Sequence, residues 1–374
     1  MKAPALLVLA FTVACAQTNS PAHAPPPPEP APPAPAAATA PPAPVASAAP
    51  APTPAPAATT GALARGDGSP ADAELTLGDA AYDRDELPAA TRHFTRAKEL
   101  APGDAAPELG LIRVALAEAG VATDFSSAPG DARVSALLQR TEELLTRAPD
   151  YGLGHLERGR LLLILGRAEP ALQALGRAIE LLPNDAEAQS ARGVALVAVG
   201  RSSEALPYLR RAAELDPNSA DRLTNLGTVC LLLGQIGEAV TTFERAATLA
   251  PDDARVHSDL GTAYLAQNRA DRALPELERA VRLDATRATF RSNLAYAYEL
   301  QKNYDRAIAT AKEAIKLDPS LGSAWINLGT ALAKKGDHQA AERAFQQALA
   351  LDPSDPRAKA NLEELKELKQ KPAP

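Results

Sequence analysis

The chain of 374 residues carries a formal net charge of −7, 34 prolines, two cysteines and few aromatic residues. Lys2 and Arg65 cancel Glu29 and Asp67, so the acidic excess lies beyond residue 70, and that region is a poor ligand for phosphate backbones or an anionic membrane surface. Cys15 and Cys230 provide no disulfide framework.

In chain order, Lys2 precedes an apolar stretch over residues 3–14. It is too short to span a bilayer as a helix and has the form of a secretory signal. It ends in Phe11, Thr12, Val13, Ala14 and Cys15. That ending resembles the lipobox of bacterial lipoproteins, with Thr12 where Leu is usual, and the resemblance implies a signal peptide over 1–14 and lipidation of Cys15. Ala14, Cys15 and Ala16 also read as an A-x-A cleavage site, which would release a soluble secreted protein. Residues 15–70 are mostly Pro and Ala, with almost no charge and no periodicity. Proline fixes φ and donates no hydrogen bond, so this stretch reads as a disordered, semi-rigid spacer reaching roughly 170 Å.

Beyond it the chain repeats. Pro149, Pro183, Pro217, Pro251, Ala285, Pro319 and Pro353 recur every 34 residues, and the units read 71–104, 105–151, 152–185, 186–219, 220–253, 254–287, 288–321 and 322–355. In the last unit Trp325, Leu328, Gly329 and Leu332 share one helical face, Gly336 and Asp337 break the helix, and Ala341, Phe345, Ala348 and Leu349 form a second stripe. The eighth position is Gly159, Gly193, Gly227, Gly261, Ala295 and Gly329 in the last six units, with Ala at the twentieth and twenty-seventh. Small residues there let the two helices of a hairpin approach closely. The second unit carries about 13 extra residues over 120–131, including Phe125, and has Ile112, Leu137 and Leu144 where the others have Gly or Ala. It is expected to pack more loosely, with its loop projecting from the stack. Residues 356–374 read as a capping helix and tail, with Ala358, Leu362, Leu365 and Leu368 on one side.

The pattern of Trp, Leu, Gly, Tyr, Ala, Phe, Ala and Pro at positions 4, 7, 8, 11, 20, 24, 27 and 32 resembles the tetratricopeptide repeat (TPR). The resemblance implies an all-α solenoid, a right-handed superhelix of about eight helical hairpins, whose first helices line a concave groove for peptide segments. Carried over by position, the groove comprises Leu156, Arg160, Leu163, Ile164, Val194, Val197, Thr228, Leu231, Leu232, Thr262, Leu265, Tyr296, Glu299, Leu300 and Thr330. Position 5 carries no Lys, which disfavours capture of a peptide carboxyl terminus.

No catalytic constellation appears. His93, His155, His257 and His338 lie in different units without metal-ligand spacing, and no cofactor, small-molecule substrate or nucleic acid is implied. Cys230, at position 11, reads as a buried core residue. The layout resembles bacterial TPR lipoproteins such as secretin pilotins and adaptors of cell-wall enzymes. It implies a non-enzymatic scaffold for envelope proteins, facing the periplasm from the outer membrane. A self-associating structural solenoid is the alternative, and an enzyme with a TPR accessory finds no spare chain.

Overall fold

A computed structural model describes residues 62–122 and 126–370. Cys15, the spacer through residue 61 and Phe125 lie outside the described residues. Among the described residues, eight helical hairpins are followed by one last helix. They are α1 (Pro70–Asp83) with α2 (Leu87–Leu100), α3 (Ala105–Glu118) with α4 (Ala132–Arg147), α5 (Gly152–Ile164) with α6 (Ala168–Leu181), and α7 (Ala186–Ala198) with α8 (Ser202–Leu215). Then come α9 (Ala220–Leu232) with α10 (Ile236–Leu249), α11 (Ala254–Ala266) with α12 (Ala270–Leu283), α13 (Ala288–Leu300) with α14 (Tyr304–Leu317), α15 (Gly322–Lys335) with α16 (His338–Leu351), and finally α17 (Pro356–Gln370).

Close approach within each hairpin has a steric cause. A Cβ added to Gly227 would lie 2.7 Å from the Phe243 ring, and Gly159, Gly193, Gly261 and Gly329 meet Leu175, Leu209, Leu277 and Phe345 in the same way. Where Ala295 replaces Gly, the facing position 24 is the small Ala311. Both are buried, so the methyl of Ala295 meets a small side chain in place of Leu or Phe. The turn between the two helices is built at position 15, in left-handed backbone: Gly166, Gly200, Gly234 and Gly336 supply it without strain, whereas Asn268 (φ 59°) and Lys302 (φ 60°) adopt it with a side chain.

The junction between units is stitched from position 4. His155 and His257 Nε2 (2.8 Å each), Gln189 Nε2 (2.9 Å) and Trp325 Nε1 (2.9 Å) donate to the backbone carbonyls of Pro149, Pro251, Pro183 and Pro319. Leu223 cannot donate, and Arg245 Nη2 of the following helix reaches the Pro217 carbonyl instead at 2.6 Å.

Two boundaries differ from the sequence expectation. Residues 63–65, assigned to the spacer, are seated on the first unit: Leu63 is 2% exposed, its N–H and that of Ala64 donate to Asp79 Oδ2 (2.8 and 3.0 Å), and Arg65 N–H donates to Asp72. The segment takes the place of a preceding unit, covering apolar surface that α1 would otherwise expose. The described part of the insertion, on either side of residues 123–125, does not project. Ser126 N–H and Ala128 N–H donate to the carbonyls of Leu163 (2.9 Å) and Ile164 (3.2 Å), folding the loop over the end of α5. First helices of successive units approach less closely between α3 and α5 than elsewhere in the stack. As expected, the α3/α4 hairpin packs less extensively than the others.

At the other end, α17 repeats a first helix without a second. Ala358 and Leu365 are buried and Leu362 is partly so, as expected, while the side chain of Leu368 lies outside the described residues. Glu363 stands where other units have Gly and pairs with Lys366 at 2.8 Å on the exposed face.

Candidate functional site

The first helices present positions 2, 5, 6, 9, 12 and 13 toward the inner face. Stacking one first helix on the next covers much of this surface. Leu156, Arg160, Leu163, Ile164, Val194, Val197, Thr228, Thr262 and Leu265 are buried, and only Leu231, Leu232, Tyr296, Glu299, Leu300 and Thr330 keep appreciable exposure. The continuous groove expected over units three to eight is therefore corrected to its C-terminal half. Position 13 shows the cause: Ile164, under the insertion, is 0% exposed, whereas Leu232 at the same position is 42% exposed.

The closed N-terminal half holds an alternating chain of charge. Arg113 Nε lies 3.3 Å from Glu157, Glu157 3.3 Å from Arg160 Nη1, Arg160 Nε 3.6 Å from Glu187, and Glu187 2.7 Å from Arg222 Nη2. These long side chains link α3, α5, α7 and α9 in turn. Arg222 is 3% exposed, and burying it is tolerable only because Glu187 answers its charge. A second pair follows, Arg255 with Asp221 at 3.2 Å and with Asp253 at 3.6 Å. Burial pushes the Asp221 carboxyl up, opposed by Arg255.

The open half carries a feature that sequence reasoning passed over although it recurs every 34 residues: asparagine at position 6. Asn225 Nδ2 donates to Ser190 Oγ (3.2 Å), Asn293 Nδ2 to Thr262 Oγ1 (3.2 Å), Asn327 Nδ2 to the Ser292 carbonyl (2.8 Å) and Oγ (3.1 Å), and Asn361 Nδ2 to Thr330 Oγ1 (3.2 Å). The amide orientation follows from the network. Thr262 and Thr330 spend their hydroxyl protons on the helix carbonyls of Ser258 and Ile326, so their oxygens can only accept. Asn293 and Asn361 therefore offer NH2 to the neighbouring helix and leave the amide oxygen for another donor. Asp259 occupies the same register in α11 and, among the described residues, makes neither a hydrogen bond nor an ion pair; burial pushes its carboxyl up to about 7. Burial likewise raises Glu299, against the opposing charge of Lys334.

No group of three or more His, Cys, Asp or Glu placed to hold a metal ion occurs among the described residues. Cys230 is buried, and burial pushes its thiol up to about 12, which suits packing rather than nucleophilic chemistry.

Tetratricopeptide repeat profiles match residues 196–263, 258–322 and 303–356. The chain is a tetratricopeptide repeat protein. Among solved structures, this TPR array is similar to the APC/C hetero-tetramer Cut9-Hcn1, with a TM-score of 0.59 at 18% identity over 79% of this chain and 55% of that one. It is also similar to YrrB, described as a TPR protein with an unusual peptide-binding site, with a TM-score of 0.41 at 24% identity over 51% of this chain and 99% of that one. A third is MamA from Desulfovibrio magneticus RS-1, with a TM-score of 0.40 at 26% identity over 46% of this chain and 97% of that one. No match is found among curated proteins. As a TPR array the chain is a protein-binding scaffold, and Leu231, Leu232, Tyr296, Glu299, Leu300 and Thr330 of its inner face keep exposure.

Proposed function

We propose that this TPR array binds an extended segment of a protein partner along the C-terminal half of its inner face and presents it to an envelope complex. The observation that carries the reading is the row of amide oxygens on Asn293, Asn327 and Asn361. They repeat along the stack, are oriented by the hydrogen bonds of their own NH2 groups, and receive no donor among the described residues. An extended peptide supplies backbone N–H groups along its length, and Leu231, Leu232 and Leu300 beside the row supply apolar contact for its side chains. Lipid on Cys15 would hold the array at the outer membrane, facing the periplasm, and the Pro/Ala spacer would set its reach. Assisting assembly, as pilotins and cell-wall-enzyme adaptors do, is the process that fits this layout.

The test compares cross-linked partners recovered from native membranes by the intact protein and by a Leu232→Glu/Leu300→Glu variant that keeps its helical circular dichroism. Both positions retain exposure, unlike Leu163 or Leu265, where glutamate would unfold the stack. Loss of a specific envelope partner in the variant is the expected result, and identical partner sets would reject the inner face. In the same preparation Cys15→Ser is expected to move the protein from the membrane to the soluble fraction. Membrane retention of that variant would reject the anchor.

A further inference from the structure

The row of position-6 amides is interrupted once in the open half, and the interruption is a carboxylate. Asp259 lies between Asn225 and Asn293 in the register. An asparagine there would donate to hydroxyls of the preceding first helix, as Asn293 donates to Ser258 and Thr262; the corresponding residues before Asp259 are Thr224 and Thr228. Both threonines already give their protons to helix carbonyls, Thr224 to Ala220 and Thr228 to Thr224, at 2.8 Å each. A carboxylate has no proton to offer their remaining lone pairs, so Asp259 gains nothing from the contact that holds every other rung.

Nor does a cation pair with it directly among the described residues; Arg255 opposes its charge only from a distance. Arg255, the cation nearest in the chain, is engaged by Asp221 and Asp253. Lys334 on α15 faces Glu299, not Asp259. The carboxylate is thus partly exposed, without a direct partner among the described residues and set in the line along which a bound segment would run, and desolvation raises it toward neutrality against the opposing charge of Arg255. An acid without a direct partner at such a place is stabilised by whatever cation the ligand brings.

We propose that Asp259 is a specificity residue that receives a lysine or arginine side chain of the bound segment, fixing its register on the amide row. The assignment rests on the inner-face reading above and adds the chemistry of one partner position. A basic segment also suits the charge of the array, whose acidic excess lies beyond residue 70.

The test is selection of a random dodecapeptide phage library on the full-length protein at pH 8 and low salt. In the peptides selected by the native protein, Lys and Arg are expected to be enriched about fivefold at one alignment position, the effect of a single ion pair. With Asp259→Asn that enrichment should fall to the library background. Asp259→Asn replaces the odd rung by the residue found in the others, so the variant is expected to fold, and circular dichroism checks that it does. Peptides selected without a basic position, or a basic position retained in Asp259→Asn, would overturn the assignment while leaving the inner-face reading intact. A library from which nothing is selected would overturn both.

Discussion

At the scale of single residues, the 34-residue pattern records contacts that tolerate no extra atom. Gly227 faces Phe243 so closely that Gly227→Ala forces the ring to move. The expected cost is about 1–3 kcal/mol in urea unfolding. Phe243→Ala should cost less in the Gly227→Ala background than in the native protein, since Ala295 faces Ala311, and additive losses in the double variant would contradict the pairing. Asp259 governs a pH dependence. Its folded carboxyl titrates near 7, above the ordinary 3.8, so between these values the folded state holds the extra proton. Stability from this group is therefore present below about pH 4 and lost as pH rises through 7, on the order of 4 kcal/mol in all. Asp259→Asn removes that slope and should raise the melting temperature most at pH 8. Parallel stability curves for the two proteins would show that the carboxyl is not buried in this way.

At the scale of elements, the hairpin turn shows where sequence was legible and where it was not. Gly336 followed by Asp337 announces a helix break, and the structure uses that glycine in left-handed backbone. Lys302 occupies the same position without looking like a turn residue. It is held there because α13 and α14 pack as their neighbours do, and the cost falls on its φ of 60°. Lys302→Gly should stabilise the protein by about 1 kcal/mol on thermal unfolding, and a loss of stability would show the turn to be unstrained. The insertion over 120–131 was visible as extra length, but its direction was not. Length alone does not reveal that the carbonyls of Leu163 and Ile164 at the end of α5 accept from the loop's Ser126 and Ala128 N–H groups.

At the scale of the whole molecule, a solenoid lives by covering its two ends. The C-terminal end of the described stack is covered by α17, and the N-terminal end by residues 63–65 on Asp72 and Asp79. A chain beginning at residue 70 would expose the site of Leu63 and leave the Asp79 carboxyl without its two backbone donors. Compared with one beginning at residue 62, it should unfold at lower temperature, by several degrees for a loss of about 1–3 kcal/mol. Equal melting temperatures would mean that the segment caps nothing.

The sequence by itself determined the repeat, its helical hairpins, the small residues at positions 8, 20 and 27 and the capping helix, because each follows from local geometry repeated at fixed spacing. It also contained the asparagines at position 6, legible as a column though not as a function. Tertiary structure alone decided which inner-face residues are open. Leu163 and Leu231 share position 12, yet the first is buried and the second is not. Exposure depends on what the neighbouring helix and the folded-back insertion cover, and no helical wheel drawn for one unit contains its neighbours.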